Sequence, residues 1–237
     1  MREFRRSRPT TSLIALIALA FSPVFADEAV TSEAEAHLLR AENALKTQDY
    51  MTAVREYGKA ADASGSAETA RDATRLAFAY GFNEESLTAA KRWAKRDPDS
   101  DEARLYLAQT YFRLGDLGKS RRQYAALIKS GKEDPGERLL SLVHYLTEEG
   151  DAEAADTLMR SLAKPYPDSA WAHYAAAALA LQAGDARYAM ERAQKASELE
   201  PDNIRPKLLY ARAMMVDGDR DKAIDYTARI IGDDPDP

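Results

Sequence analysis

The sequence contains no cysteine and only three histidines among its 237 residues. Without cysteine the chain can form no disulfide, perform no thiol chemistry and carry no lipid on a cysteine behind an export signal. The histidines, His37, His144 and His173, lie in three different parts of the chain, which predicts structural or surface roles and no metal site. A glycine-rich phosphate loop and a nucleophile elbow are also missing from the sequence. These absences predict a protein that is not an enzyme and uses no cofactor.

Glycine is sparse, with 11 residues, yet five of them recur at a nearly constant spacing. The intervals are 34, 35, 34 and 34 residues, and Gln48 occupies the equivalent place 33 residues before the first. The five are Gly81, Gly115, Gly150, Gly184 and Gly218. A period of about 34 residues in a helical pattern is typical of stacked helix pairs, because one pair cannot bury its apolar face alone. Function is therefore expected in a surface, not in a catalytic pocket.

Two columns of mostly small side chains run through the repeat. Seven residues before each turn stand Ala41, Thr74, Ala108, Val143, Ala177 and Ala211. Five residues after each turn stand Ala53, Ser86, Ser120, Ala155, Ala189 and Ala223. Small residues at these places let two helices approach closely, and the glycine suits a left-handed residue just past the first helix. Gln48 is the exception, so the first turn is predicted to be less regular than the others.

Prolines mark the joins between repeats. They stand in Asp97-Pro98-Asp99-Ser100, Tyr166-Pro167-Asp168-Ser169 and Glu200-Pro201-Asp202-Asn203. Proline ends the second helix of a pair, and the serine or asparagine that follows can cap the next helix. Asp134-Pro135 is predicted to do the same three residues later, which explains the single 35-residue interval. The predicted units span residues 34–66, 67–100, 101–135, 136–169, 170–203 and 204–237, in one array without a domain boundary.

These features together resemble the tetratricopeptide repeat family, whose unit is a helix-turn-helix of about 34 residues. The resemblance covers about residues 34–237 and is strongest in the segments 107–116 and 193–201. It departs at Trp93, which stands where a small residue is usual. The resemblance implies an all-α, right-handed superhelical solenoid of six units. It also implies that the first helix of each unit faces a concave groove, with residues ten, six and three before the turn pointing into it.

The groove implied by that resemblance mixes apolar and aromatic side chains with arginine, a composition enriched at recognition hot spots. Arg71 and Arg75 lie one helical turn apart and can receive a carboxylate of a bound segment. The alternative is that they pair with Glu68 or Glu102 inside the array, and that many of the apolar residues only complete helix packing. The predicted binding residues are Arg71, Arg75, Phe78, Leu105, Gln109, Phe112, Leu140, His144, Trp171, Tyr174, Leu208 and Arg212, with Arg205 beside them.

The segment 1–26 has a different character from the repeats. Four arginines between residues 2 and 8 precede an apolar run, Ser12 to Phe21, and Ala26 closes the segment. This pattern predicts a secretory signal peptide that is cleaved after Ala26, a flexible stretch over residues 27–33 and a periplasmic protein. An uncleaved membrane anchor is the alternative. It is disfavoured because the apolar run is roughly half of the ~20 residues that span a bilayer.

Removal of the segment 1–26 takes away four arginines and one glutamate. It leaves 29 basic and 38 acidic side chains, a net charge of −9. Phosphate binding needs a basic stripe, so this balance argues against a nucleic-acid partner. We interpret the net negative charge as a feature that keeps a helical surface soluble. No membrane insertion is expected after cleavage.

Residues 73–77 and 92–100 are similar to segments of larger periplasmic tetratricopeptide repeat proteins of proteobacteria. Some of that group are adaptors for a carboxyl-terminal processing protease that acts on cell-wall hydrolases. The resemblance implies an adaptor or scaffold that binds a protein or peptide in its groove, with such a protease as partner. The alternative is a structural subunit of an envelope assembly or secretion complex, held by end-to-end repeat packing. The apolar residues Ile224, Ile230 and Ile231 predict that self-association, a partner or further chain covers the last repeat.

Overall fold

The computed structural model describes residues 32–233, and within that range the chain forms twelve α-helices and no β-strand. The helices are α1 (Ser32–Lys46), α2 (Tyr50–Ser64), α3 (Ala67–Ala79), α4 (Asn83–Arg96), α5 (Asp101–Arg113), α6 (Leu117–Ser130), α7 (Pro135–Glu148), α8 (Ala152–Ala163), α9 (Ala170–Gln182), α10 (Ala186–Leu199), α11 (Ile204–Asp217) and α12 (Arg220–Asp233). Successive pairs make the six predicted units, and the all-α solenoid is confirmed. The predicted signal peptide lies outside the described residues.

Each predicted turn glycine adopts the left-handed conformation, with φ between 72° and 100°. Gln48 adopts it too, at φ 59°, although it carries a side chain. The hydrogen bonds of that turn match those of the glycine turns: Asp49 N donates to Ala44 O at 2.8 Å, as Asp116 N donates to Tyr111 O at 2.9 Å. The prediction of a less regular first turn is therefore wrong. The turn keeps its geometry, and Gln48 bears the cost of a left-handed backbone conformation that a Cβ atom disfavours.

Replacing Gln48 with glycine is expected to stabilise the protein by about 0.5–1 kcal/mol, because it removes the cost of a left-handed residue with a Cβ atom. Urea unfolding followed by circular dichroism measures the change. Gly115→Gln is the matched control and should destabilise the protein. A Cβ atom there meets no atom within 4 Å, so the loss comes from the strained backbone conformation alone. Equal stabilities for the parent and Gln48→Gly would contradict this account.

The capping residues predicted at the joins are found in place. Ser100, Ser169 and Asn203 accept hydrogen bonds from backbone amides in the first turns of α5, α9 and α11. Pro135 differs from the prediction, because it is the first residue of α7 and Asp134 caps that helix. The fourth unit therefore begins at residue 135, and the proline starts a helix there because its missing N–H has no partner to lose at that position.

Small buried side chains bring the helices together, as predicted from the two columns. Ala41, Ala177 and Ala189 are fully buried. The buried serines of the second column also find polar partners: Ser120 Oγ donates to Ala108 O at 2.9 Å, and Ser86 Oγ lies 3.0 Å from the Thr110 hydroxyl. Such a hydroxyl can replace a methyl group at a close helix contact because its hydrogen bond is satisfied.

The fourth unit packs differently from the other five. Helix α7 packs more extensively on α9 than on its own partner α8, and α6 also contacts α8. Here Val143 stands where most units have alanine, and the buried side chains of α7 beyond its first turn are the large Leu139, Leu142 and Leu146. Larger residues at a contact hold helices farther apart. Units 3 to 5 consequently share one continuous core of leucine, tyrosine, isoleucine and methionine side chains.

Two other sequence features have clear outcomes. Trp93, the departure from the family pattern, is 3% exposed and packs with Tyr106 at a ring-centroid distance of 6.0 Å. It fills the junction between the first three units.

None of the helices between residues 32 and 233 is long and apolar enough to cross a membrane.

Candidate protein-binding groove

The predicted binding residues lie on the first helices of units 2 to 6, but they differ in exposure. Gln109 and Phe112, on α5, are only 9% and 5% exposed. Phe112 belongs to the core shared by units 3 to 5. The expectation that these two side chains point openly into a groove is therefore wrong; Phe112 is enclosed by the large side chains of that shared core. Phe78, Leu105 and Leu140 are half-buried.

The two arginines of α3 already have carboxylate partners within the chain. Arg71 Nη2 lies 3.0 Å from Glu68 Oε1, and its Nε lies 3.3 Å from Asp72 Oδ1. Arg75 Nη2 lies 2.6 Å from Glu102 Oε1 on the next unit. This is the alternative that the sequence left open. A ligand carboxylate at this end of the groove would have to displace an existing ion pair.

Arg113 is a central residue that the sequence reasoning missed. Its guanidinium lies 3.6 Å from the centre of the Phe78 ring and donates to Phe78 O at 2.9 Å. It also donates to Glu149 Oε2 at 2.6 Å, so one side chain joins units 2, 3 and 4. Tyr124 is buried nearby, and burial raises the pKa of its hydroxyl. One face of Phe78 is therefore covered by Arg113.

His144 is exposed on α7, with Nε2 3.4 Å from Glu148 Oε1. The two residues are four apart, a pairing of potential metal ligands that the sequence reasoning overlooked. The described residues contain no group of three or more side chains placed to hold a metal ion. The pair is adequately explained as a surface contact one helical turn apart.

Helices α9 and α11 bring partly exposed aromatic side chains next to an exposed arginine. Trp171 and Tyr174 of α9 are partly exposed and meet edge to face, with ring centroids 6.0 Å apart. Arg205 of α11 lies 5.8 Å from the centre of the Trp171 ring, and Leu208 on the same helix is 40% exposed. We name these four residues the aromatic–arginine patch. Their positions recur every three or four residues, so each helix presents its pair on one face.

The arginines of α11 differ from those of α3 in their partners. Neither Arg205 nor Arg212 has an ion pair with any residue between 32 and 233, and both are exposed. An incoming carboxylate can therefore be bound here without breaking an existing bridge. The electrostatics of the groove thus favour its C-terminal half.

Other charged clusters lie on the second helices and are structural. Glu56 of α2 is 7% exposed and accepts from Lys59 Nζ at 2.6 Å, with His37 Nδ1 also 2.6 Å away. The Lys59 hydrogen bond holds the pKa of Glu56 below its usual value. Arg160 of α8 similarly bridges Asp156 and Asp185 on neighbouring units. These groups are satisfied within the array and offer no site.

Comparisons with known proteins agree with the repeat. A family model described as tetratricopeptide repeat matches residues 180–237. No curated protein matches the sequence significantly. Among solved structures, MamA residues 41 to the end from Desulfovibrio magneticus RS-1 is 18% identical, with 70% of this chain and 93% of that chain covered and a TM-score of 0.38.

Two further solved structures have similar sequence identities and TM-scores. YrrB, a TPR protein with an unusual peptide-binding site, is 16% identical, with 73% of this chain and 89% of that chain covered and a TM-score of 0.41. PilW, a type IV pilus biogenesis factor, is 16% identical, with 86% of this chain and 94% of that chain covered and a TM-score of 0.42.

The matched segment runs from the end of α9 through the last unit. The preceding units have the same two-helix plan, the same left-handed turn residue and side-chain caps at their joins. Residues 180–237 therefore match the tetratricopeptide repeat family, and the preceding units share the helix-turn-helix plan of that segment.

Proposed function

We propose that this protein is a periplasmic scaffold or adaptor that binds a segment of another polypeptide on the aromatic–arginine patch. The observation that carries the proposal is the partly exposed pair Trp171 and Tyr174 beside the guanidinium of Arg205, which has no ion pair among residues 32–233. Tryptophan, tyrosine and arginine are the residues most enriched where binding energy concentrates. A repeat array without a catalytic constellation in its described part offers such a surface as its functional feature.

The patch favours a segment that combines an apolar side chain with a carboxylate. The two rings and Leu208 can bury the apolar group, while Arg205 can form a charge-assisted hydrogen bond with the carboxylate. The rest of the protein is acidic and repels such a segment elsewhere. The ligand is thereby directed to one end of the groove.

The cellular setting is supported by the sequence alone. The arginine-rich start and apolar run of residues 1–26 are typical of a secretory signal. Similarity of residues 73–77 and 92–100 to periplasmic adaptors favours an envelope partner, such as a carboxyl-terminal processing protease or a cell-wall enzyme. We include that partner class in the proposal.

The proposal is tested by capture and then by titration. Bait protein is incubated with envelope extract, the captured proteins are identified by mass spectrometry, and the purified partner is titrated against each variant. Trp171→Ala with Arg205→Ala is expected to weaken binding at least ~30-fold, the effect of about 2 kcal/mol at a hot spot. Arg71→Ala is the matched control and is expected to leave binding nearly unchanged, because that arginine is already paired. Full affinity in the double variant would exclude the patch.

The alternative, a structural subunit held by end-to-end packing, is favoured by a different observation. Met215, Ile224 and Ile231 of the last unit are each about half exposed. None of the three belongs to the aromatic–arginine patch, so their exposure needs a separate explanation.

A further inference from the structure

The last unit presents an apolar face that is covered in the unit before it. Met215 is 49% exposed and Ile224 is 55% exposed. Their equivalents one repeat earlier are Leu181, which is 8% exposed, and the half-buried Met190. Leu181 belongs to the core cluster where α11 packs on the fifth unit, and Met190 packs against that cluster. The face of α11 and α12 is thus shaped to receive the first helix of another unit.

The first helix of the array carries a matching apolar residue. Leu39 on α1 is 58% exposed. It stands nine residues before the turn residue Gln48, as Leu209 stands nine before Gly218. Leu209 is 8% exposed and packs into the fifth unit. Leu39 therefore occupies the position by which a first helix docks on a preceding unit.

An ion pair between units 2 and 3 indicates independently that the two ends of the array can fit together. Arg75, six residues before its turn, bridges to Glu102, thirteen residues before the next turn, at 2.6 Å. The same two positions at the ends of the array are held by Arg212 in the last unit and Glu35 in the first. Both are exposed, and neither has an ion pair among residues 32–233. Each end of the chain thus supplies one half of a bridge that is observed between units 2 and 3.

We propose that copies of this protein associate head to tail, with α1 of one copy docking on the α11 and α12 face of the next. Leu39 then covers Met215 and Ile224, and Glu35 pairs with Arg212 across the joint. Charge complementarity extends beyond this pair. The acidic first turn of α1 then approaches a surface cavity lined by two basic residues, Lys207 and Arg229, and one acidic residue, Asp202. The two surfaces differ, so the contact is heterologous and builds a ring or an open array that continues the groove.

The first test measures self-association of the protein expressed from its full sequence and purified in the form its host leaves. Analytical ultracentrifugation is expected to show mass increasing with micromolar concentration. Leu39→Asp and Met215→Asp should each abolish the increase, and both replace side chains that are about half exposed, so neither disturbs the core. Tyr145→Asp, at an exposed residue on neither face, is the control that keeps association.

Mixing the two defective variants distinguishes head-to-tail contact from every symmetric alternative. Leu39→Asp retains an intact tail, and Met215→Asp retains an intact head. An equimolar mixture is therefore expected to form a one-to-one dimer that grows no further, whereas each variant alone stays monomeric. A wild-type protein that is monomeric throughout, or a mixture that forms no dimer, would overturn the proposal. Either result would mean that a further segment of the polypeptide, or another protein, covers the face of α11 and α12.

The ion pair is tested by charge exchange in the same assay. Glu35→Arg and Arg212→Glu are each expected to weaken association about tenfold, because each places like charges at the joint. The double variant restores the opposite charges and should recover most of the loss. Absence of recovery with both single effects present would remove Glu35 and Arg212 from the joint. The Leu39 and Met215 variants change neither the aromatic–arginine patch nor Arg212, so failure of the mixing test leaves the groove proposal standing.

Discussion

Leu146→Ala is expected to destabilise the protein by about 2–5 kcal/mol, the usual cost of removing a fully buried leucine side chain. Leu146 is 1% exposed and lies in the core that units 3 to 5 share. Large leucine side chains of α7 fill this core, so truncating one of them leaves a cavity there. Urea unfolding followed by circular dichroism gives the difference in free energy of unfolding.

The matched control is Leu140→Ala in the same helix. Leu140 is half-buried, so the substitution removes less apolar area from the protein interior and should cost clearly less. Because the stability of a repeat array is approximately a sum of unit and interface contributions, amide exchange should accelerate mainly in α7, α8 and α9. Equal losses for the two variants, or acceleration confined to the array ends, would refute this picture of the fourth unit.

The sequence predicts those parts of the fold that local chemistry determines. The position of every turn but the first follows from a glycine in the left-handed region, and most joins follow from a proline with a capping side chain. Gln48 shows where the residue type misleads: backbone hydrogen bonds impose the same turn without glycine. Periodicity therefore located the helices, even where one residue departs from the pattern.

Contacts between units could not be predicted in the same way. Val143 interrupts a column of mostly small residues, but the burial of Phe112 depends on how several leucines of the fourth unit fill the core around it. Arg113 reaches partners 35 and 36 residues away, which no local pattern indicates. The choice between ligand binding and internal pairing for Arg75 likewise required the position of Glu102. Site residues are thus the least predictable part of a repeat protein, because each belongs to an interface.

Gly136→Ala is expected to destabilise the protein by about 1–3 kcal/mol, because it overfills a close contact between α7 and α9. A Cβ atom at Gly136 would lie 2.1 Å from Ser169 Oγ and 3.0 Å from Trp171 Cβ. Ser169 caps α9, and Asp134, which caps α7, would lie 2.9 Å away. The methyl group therefore disturbs two helix caps as well as the packing. Trp171 belongs to the aromatic–arginine patch, so its fluorescence should change in the folded variant.

Gly118→Ala is the control and is expected to change the stability in the opposite direction. Gly118 also lies in the first turn of a helix, α6, but a Cβ there meets only Asp116 Oδ1, at an ordinary 3.8 Å. Alanine at that position should stabilise the protein by about 0.4–1 kcal/mol, since it reduces the conformational entropy of the unfolded chain without strain. Parallel urea titrations of the two variants decide the matter. A stabilising Gly136→Ala would mean that α7 and α9 separate more easily at their first turns than this packing allows.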